Sequence, residues 1–174
     1  MDRKLLHRFV KLMADRVRGQ WVIIGGAVLP LLDASSRYTE DIDIVGPSSS
    51  TQKDTLALMN IAQELKLPIE AINQAASFFL HKISRWQDEL VLIHKGKGIR
   101  IFRPTPTLFL LLKISRLSEY DLEDCLNMMK YANLKKEVID VKRVSKAIQE
   151  EIKKSSNQTK TKRLKQLLSI LTMQ

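Results

Sequence analysis

The segment Asp41-Ile-Asp-Ile-Val45 alternates acidic and apolar residues with period two. A strand sends alternate side chains to opposite faces, so this spacing predicts a strand with Asp41 and Asp43 projecting together and the isoleucines facing a core. Upstream, Trp21-Val-Ile-Ile24 is a short apolar run rich in β-branched residues, read as a buried strand, and it leads directly into Gly25-Gly26. A glycine pair lets backbone pass close to a ligand, and amides opening the following short helix, Ala27 to Leu32, suit phosphate oxygens. Carboxylates at i and i+2 of a strand suit hard, oxygen-preferring cations such as magnesium. Two such ions would activate an attacking hydroxyl and neutralise a leaving pyrophosphate.

The remaining pattern is mixed. Residues 2 to 18 carry Leu5, Leu6, Phe9, Val10, Leu12, Met13 and Val17 at mostly three-and-four spacing, which predicts an amphipathic helix ending at Gly19. Asp33 to Glu40 is a polar loop. Thr51 to Lys66, with Leu56, Met59, Ile61, Ala62 and Leu65, predicts another helix. Pro68 to Asn73, Phe78 to Ser84, Leu90 to Ile93 and Ile99 to Phe102 read as strands, the last two joined as a hairpin through Lys95-Gly-Lys-Gly98. Arg103-Pro-Thr-Pro106 breaks this pattern. From Thr107 onward only helices are expected, over 107–117, 119–131, 136–153 and 160–172, with Ser155 to Thr159 as a linker. The expectation is an α+β protein: a core over 1–104, with a mixed sheet flanked by helices, and a C-terminal helical region over 105–174.

The linked features resemble the nucleotidyltransferase superfamily related to DNA polymerase β. That signature places an apolar strand before Gly-Gly or Gly-Ser, then a helix and loop, then Asp-x-Asp or Asp-x-Glu on the next strand. Here it reads Val22-Ile-Ile-Gly-Gly-Ala-Val-Leu-Pro-Leu-Leu32, followed by Arg37-Tyr-Thr-Glu-Asp-Ile-Asp-Ile-Val45. The Arg-x-Thr-x-Asp-x-Asp stretch is similar to the minimal bacterial branch that includes toxin and abortive-infection nucleotidyltransferases. Leu110-Leu-Leu-Lys-Ile-Ser-Arg116 followed by Asp121-Leu-Glu-Asp124 matches the helices that follow the sheet in that branch. The resemblance covers roughly residues 20 to 130.

The resemblance implies a nucleotidyltransferase fold and the transfer of a nucleoside monophosphate from a nucleoside triphosphate to an acceptor hydroxyl. Asp41 and Asp43 would hold two magnesium ions, and Glu70 is the candidate for the family's third metal carboxylate. Gly25, Gly26, Arg37, Thr39, Lys113, Arg116 and Asp121 would contact the nucleotide. The acceptor would be an RNA, with a transfer RNA end fitting the toxin branch, and an antitoxin partner is part of the same expectation. Two other readings stay open: a catalytically weak or inactive module of the same fold that binds nucleotide or RNA, and a small-molecule transferase of the aminoglycoside-modifying type.

Charge and cysteine usage narrow the setting. Of a net charge of +10, the stretch from Lys135 to Gln174 holds eleven Lys or Arg against four Asp or Glu, which points to a polyanionic partner. Positive charge suits a cationic drug substrate poorly. Cys125 is the only cysteine, so neither an intrachain disulfide nor a Cys-rich zinc site can form. The longest apolar run, Leu108 to Leu112, is far below the roughly 20 residues a bilayer span requires. A reducing cytoplasm without membrane association is expected. His7, His81 and His94 show no metal-ligand spacing, and Trp21 and Trp86 read as packing residues.

Overall fold

The computed structural model describes residues 1–35 and 38–173. The chain forms two compact units, Met1–Pro104 and Thr105–Gln174. Among the described residues there are five strands and eight α-helices, an α+β architecture.

The N-terminal unit begins with α1 (Arg3–Arg16), capped by the Asp2 carboxylate, which accepts a 2.9 Å hydrogen bond from the Leu5 amide. The strands are β1 (Gly19–Ile24), β2 (Ile42–Val45), β3 (Ile72–Asn73), β4 (Leu90–Gly96) and β5 (Ile99–Pro104), in the spatial order β3-β2-β1-β5-β4. β1 pairs antiparallel with β2 and parallel with β5, β2 pairs parallel with β3, and β4 with β5 forms the expected hairpin. Central position explains why Trp21 to Ile24 are all buried, and hence why their sequence is continuously apolar. α1 packs against α2 (Val28–Leu31), α3 (Gln52–Glu64), β4 and β5.

Three readings of this unit change. The segment from Pro68 is a strand only at its end. The Ala71 amide closes on the Pro68 carbonyl at 3.0 Å, making a 3-10 turn over Ile69–Ala71 before β3. Phe78 to Ser84 is not a strand but contains α4 (Ser77–His81). Ala76 and Leu80, four residues apart, are buried on one helical face, while Phe78 and Phe79 point outward. A short apolar run carries no periodicity that separates the two structures, and anchoring through Ala76 and Leu80 decides. In α3 the buried stripe is Leu58, Ile61 and Ala62, continued by Leu65, while Leu56 and Met59 are exposed.

The C-terminal unit is helical: α5 (Pro106–Ile114), α6 (Glu119–Lys135), α7 (Val141–Lys154) and α8 (Gln158–Thr172). Thr105 caps α5, with Pro106 supplying its first turn, where a missing amide costs nothing. α6 runs four residues further than its sequence pattern and stops at Lys136, which takes the left-handed conformation (φ 57°). α7 starts later than expected because Asp140 caps it, accepting from the Arg143 amide at 3.0 Å. Leu110, Ile114, Leu122, Met129, Val144, Ile148, Leu164 and Leu167 meet in one core with Cys125, whose thiol pKa burial pushes up. Among the described residues no helix is long and apolar enough to cross a membrane.

Candidate active site

The site starts from the register of β2. Ile42 and Ile44 are fully buried, and Asp43 between them projects to the opposite face and is half-buried. Asp43 sits opposite Ile24, the last residue of β1, so its carboxylate reaches the turn where Gly25-Gly26 leaves the sheet. Gly25 adopts φ +70°, and a Cβ built there would overlap Asp43 Oδ2 and lie 3.0 Å from Asp43 Cγ. Glycine is therefore needed twice, for its backbone conformation and for the space the carboxylate occupies.

On its other side β2 pairs with β3, and the residue beside Asp43 is Asn73. The Asn73 side-chain amide donates to Asp43 Oδ1 at 2.7 Å. Its oxygen accepts from the Ala75 amide at 3.0 Å, so Asn73 is oriented with its NH2 toward the carboxylate. Asp41 lies just before β2 and is exposed; the Thr39 hydroxyl donates to its backbone carbonyl at 3.0 Å. Thr39 thus shapes the approach to the strand. Arg37 lies outside the described residues.

Glu70 does not join this pair. It is exposed on the 3-10 turn that precedes β3, and among the described residues no group of three or more His, Cys, Asp or Glu is placed to hold a metal ion. The strand position beside Asp43 is taken by an amide, Asn73. A cavity of about 230 Å³ elsewhere in this unit, lined by His7, Val10, Val28, Ile93 and Arg103, includes neither Asp41 nor Asp43.

Lys113, Arg116 and Asp121 form a different structure within the C-terminal unit. Lys113 Nζ is buried and donates to Asp121 Oδ1 at 2.9 Å and to Asp124 Oδ2 at 2.8 Å. Arg116 grips Asp121 through two parallel bonds of 2.7 Å, from Nε and Nη2. Ser118 donates to the same carboxylate through its hydroxyl (2.8 Å) and backbone amide (3.0 Å), and in return caps α6. Burial alone would lower the Lys113 pKa, but the Asp124 and Asp121 carboxylates outweigh it and leave the ammonium above its ordinary value. Burial likewise opposes ionisation of Asp121. Hydrogen bonds from Arg116, the nearby Lys113 charge and the bonds from Lys113 and Ser118 hold its carboxyl well below the usual carboxylate range. Reaching out to a triphosphate would strip both aspartates of the Lys113 cation.

Residues 4–171 match the family model described as "Nucleotidyltransferase of unknown function (DUF6036)". The chain belongs to this family. The match covers nearly the whole of it, and the five-stranded mixed sheet with its helices is consistent with a nucleotidyltransferase fold. No curated protein and no solved structure matches the chain. In this nucleotidyltransferase family member, the residue beside Asp43 that the sequence pattern did not reveal is Asn73. No periodic signal marked it, because only the parallel pairing of β3 with β2 places residue 73 beside Asp43.

Proposed function

We propose that this chain transfers a nucleoside monophosphate from a nucleoside triphosphate to an acceptor hydroxyl, with Asp41 and Asp43 holding a magnesium–nucleotide beside Gly25 and Gly26. The observation that carries this reading is the seating of the Asp43 carboxylate against Gly25, at the end of the central strand. Membership of a nucleotidyltransferase family supports the reaction class. The acceptor oxygen forms a bond to the α-phosphorus, the bond to the bridging oxygen breaks, pyrophosphate leaves, and the hydroxyl proton passes to water.

Two carboxylates, completed by substrate phosphate oxygens and water, fit the usual way one magnesium ion is held. They do not fit the two-ion arrangement with Glu70, because Asn73 occupies the strand position beside Asp43 and Glu70 is exposed. When bound, magnesium supplies charge neutralisation at the phosphates. The chain's own part is to fix the Asp43 carboxylate, through the Asn73 bond to Oδ1 and the space left at Gly25.

An RNA end as the acceptor is supported by the net charge of +10 and by the exposure of Lys135, Lys136, Lys142, Lys146, Lys153, Lys154, Lys162 and Lys165. An antitoxin partner belongs to the same proposal, carried by the resemblance of the Arg37-x-Thr39-x-Asp41-x-Asp43 segment alone, whereas a cytoplasmic setting rests on the single cysteine and the short apolar runs. The second reading, a module that binds nucleotide without turnover, is favoured by the lack of a three-carboxylate cluster among the described residues. Incubation with labelled nucleoside triphosphates, magnesium and total RNA separates the two. Label on RNA that disappears with Asp43→Ala supports the transferase. Nucleotide binding with no label transfer supports the module.

A further inference from the structure

Phe78 and Phe79, on α4, are 61% and 52% exposed, which is unusual for adjacent large aromatic residues. Their rings stand edge to face with centroids 5.6 Å apart, and Lys82 Nζ lies 3.9 Å from the Phe78 centroid and 5.7 Å from that of Phe79. The backbone beneath them is fixed by the buried Ala76 and Leu80. From Ala71 to Gln87 the chain has no acidic residue; of its two longer cations, Arg85 pairs with Asp88 at 2.9 Å, and Lys82 stands over the rings. α4 also follows β3 closely. Phe78 is five residues beyond Asn73, so its Cα lies at most about 18 Å from that of the residue holding Asp43.

We infer that Phe78, Phe79 and Lys82 form a stacking platform for an unpaired nucleic-acid strand, placing the acceptor end near Asp43. This deepens the proposed function and rests on its reading of the acceptor as a nucleic acid. Bases stack without sequence preference on the ring faces that Lys82 does not cover, and the Lys82 ammonium over the Phe78 ring offers charge to a phosphate. A purely apolar occupant would have to strip water from the Lys82 ammonium that stands over the rings. The platform sits in the same unit as Asp43, so it is distinct from the basic helices that follow residue 105.

The test measures binding of a fluorescein-labelled 12-nucleotide single-stranded RNA to the full chain by polarisation, over a series of salt concentrations. It compares the wild type with Phe78→Ala/Phe79→Ala, Lys82→Ala and Lys153→Ala/Lys154→Ala. Because both rings are exposed, the double variant is expected to keep the wild-type thermal midpoint. It is expected to lose about tenfold or more in affinity, in line with the contribution of stacked bases. Lys82→Ala should bind more weakly and with a shallower salt dependence. A duplex of the same sequence should compete poorly. Equal affinity of the Phe variant and wild type, no RNA binding by the wild type, or preferential binding to vesicles of phosphatidylcholine and phosphatidylglycerol would overturn the platform. Label transfer to RNA that depends on Asp43 but not on the rings would sink the platform and leave the transferase standing. Ring-dependent binding without any transfer would do the reverse.

Discussion

The carboxylate of Asp43 occupies the volume that a side chain at Gly25 would need. Two residues eighteen positions apart are thereby coupled: the turn after β1 can keep its path only with glycine, and Asp43 can keep its place only because that glycine is there.

Gly25→Ala should therefore act on both residues. The left-handed conformation costs an L-residue roughly 1–2 kcal/mol, and the new methyl must displace the carboxylate. We expect a drop in thermal midpoint of several degrees and label transfer reduced to the level of Asp43→Ala. A variant with full transfer activity would show that Asp43 does not work from the position described.

Asn73 invites a paired substitution. Asn73→Ala removes a hydrogen bond to a charged group, worth about 1.5–3 kcal/mol at most in a site partly open to solvent, and frees Asp43 Oδ1. Nucleotide affinity should weaken while the fold persists. Asn73→Asp places a second carboxylate beside Asp43, so it should destabilise the metal-free protein and make its melting temperature more dependent on magnesium. A magnesium response identical to wild type would argue against metal binding at this position.

Glu70→Ala should change little. The side chain is exposed on a turn, and substitutions at such places usually stay within about 0.5 kcal/mol. Transfer activity equal to wild type is the expected result. A large loss would restore Glu70 to the metal site.

The buried network around Lys113 contributes to the stability of the C-terminal unit in a pH-dependent way. Asp121→Ala leaves a buried lysine with one carboxylate and removes the capping box of α6, so a loss of about 3–5 kcal/mol is expected in urea unfolding. Because the folded pKa of Asp121 is depressed, its contribution is complete above the unfolded value near 4 and fades as pH falls through the folded value. Lys113 is shifted upward, so its contribution holds below the unfolded value near 10 and fades as pH rises through the folded one. Urea midpoints should thus be level between about pH 5 and 9 and fall on both sides. Asp121→Ala should flatten the acid limb.

Much of the fold was written locally. The alternation around Asp41 and Asp43, the apolar run into Gly25-Gly26, and the helical spacing after Thr107 each follow from a period that a single element imposes on its own residues. Phe78 to Ser84 shows where that logic ends. Its sequence suits a strand, and only the burial of Ala76 and Leu80 makes part of it a helix. Lys113 and Arg116 show a related limit, since their spacing is the same whether the ammonium faces a ligand or is enclosed with Asp121 and Asp124.

By itself the sequence determined that a strand with buried isoleucines would carry Asp43 near a glycine turn, because the period-two alternation sends Ile42 and Ile44 to one face and Asp43 to the other. Only the tertiary structure decided what stands beside that carboxylate. Strand pairing brings residue 73, thirty positions away, against Asp43, and places an amide there rather than a carboxylate. Such neighbours are chosen by hydrogen-bond register between distant segments, which leaves no periodic trace in the chain.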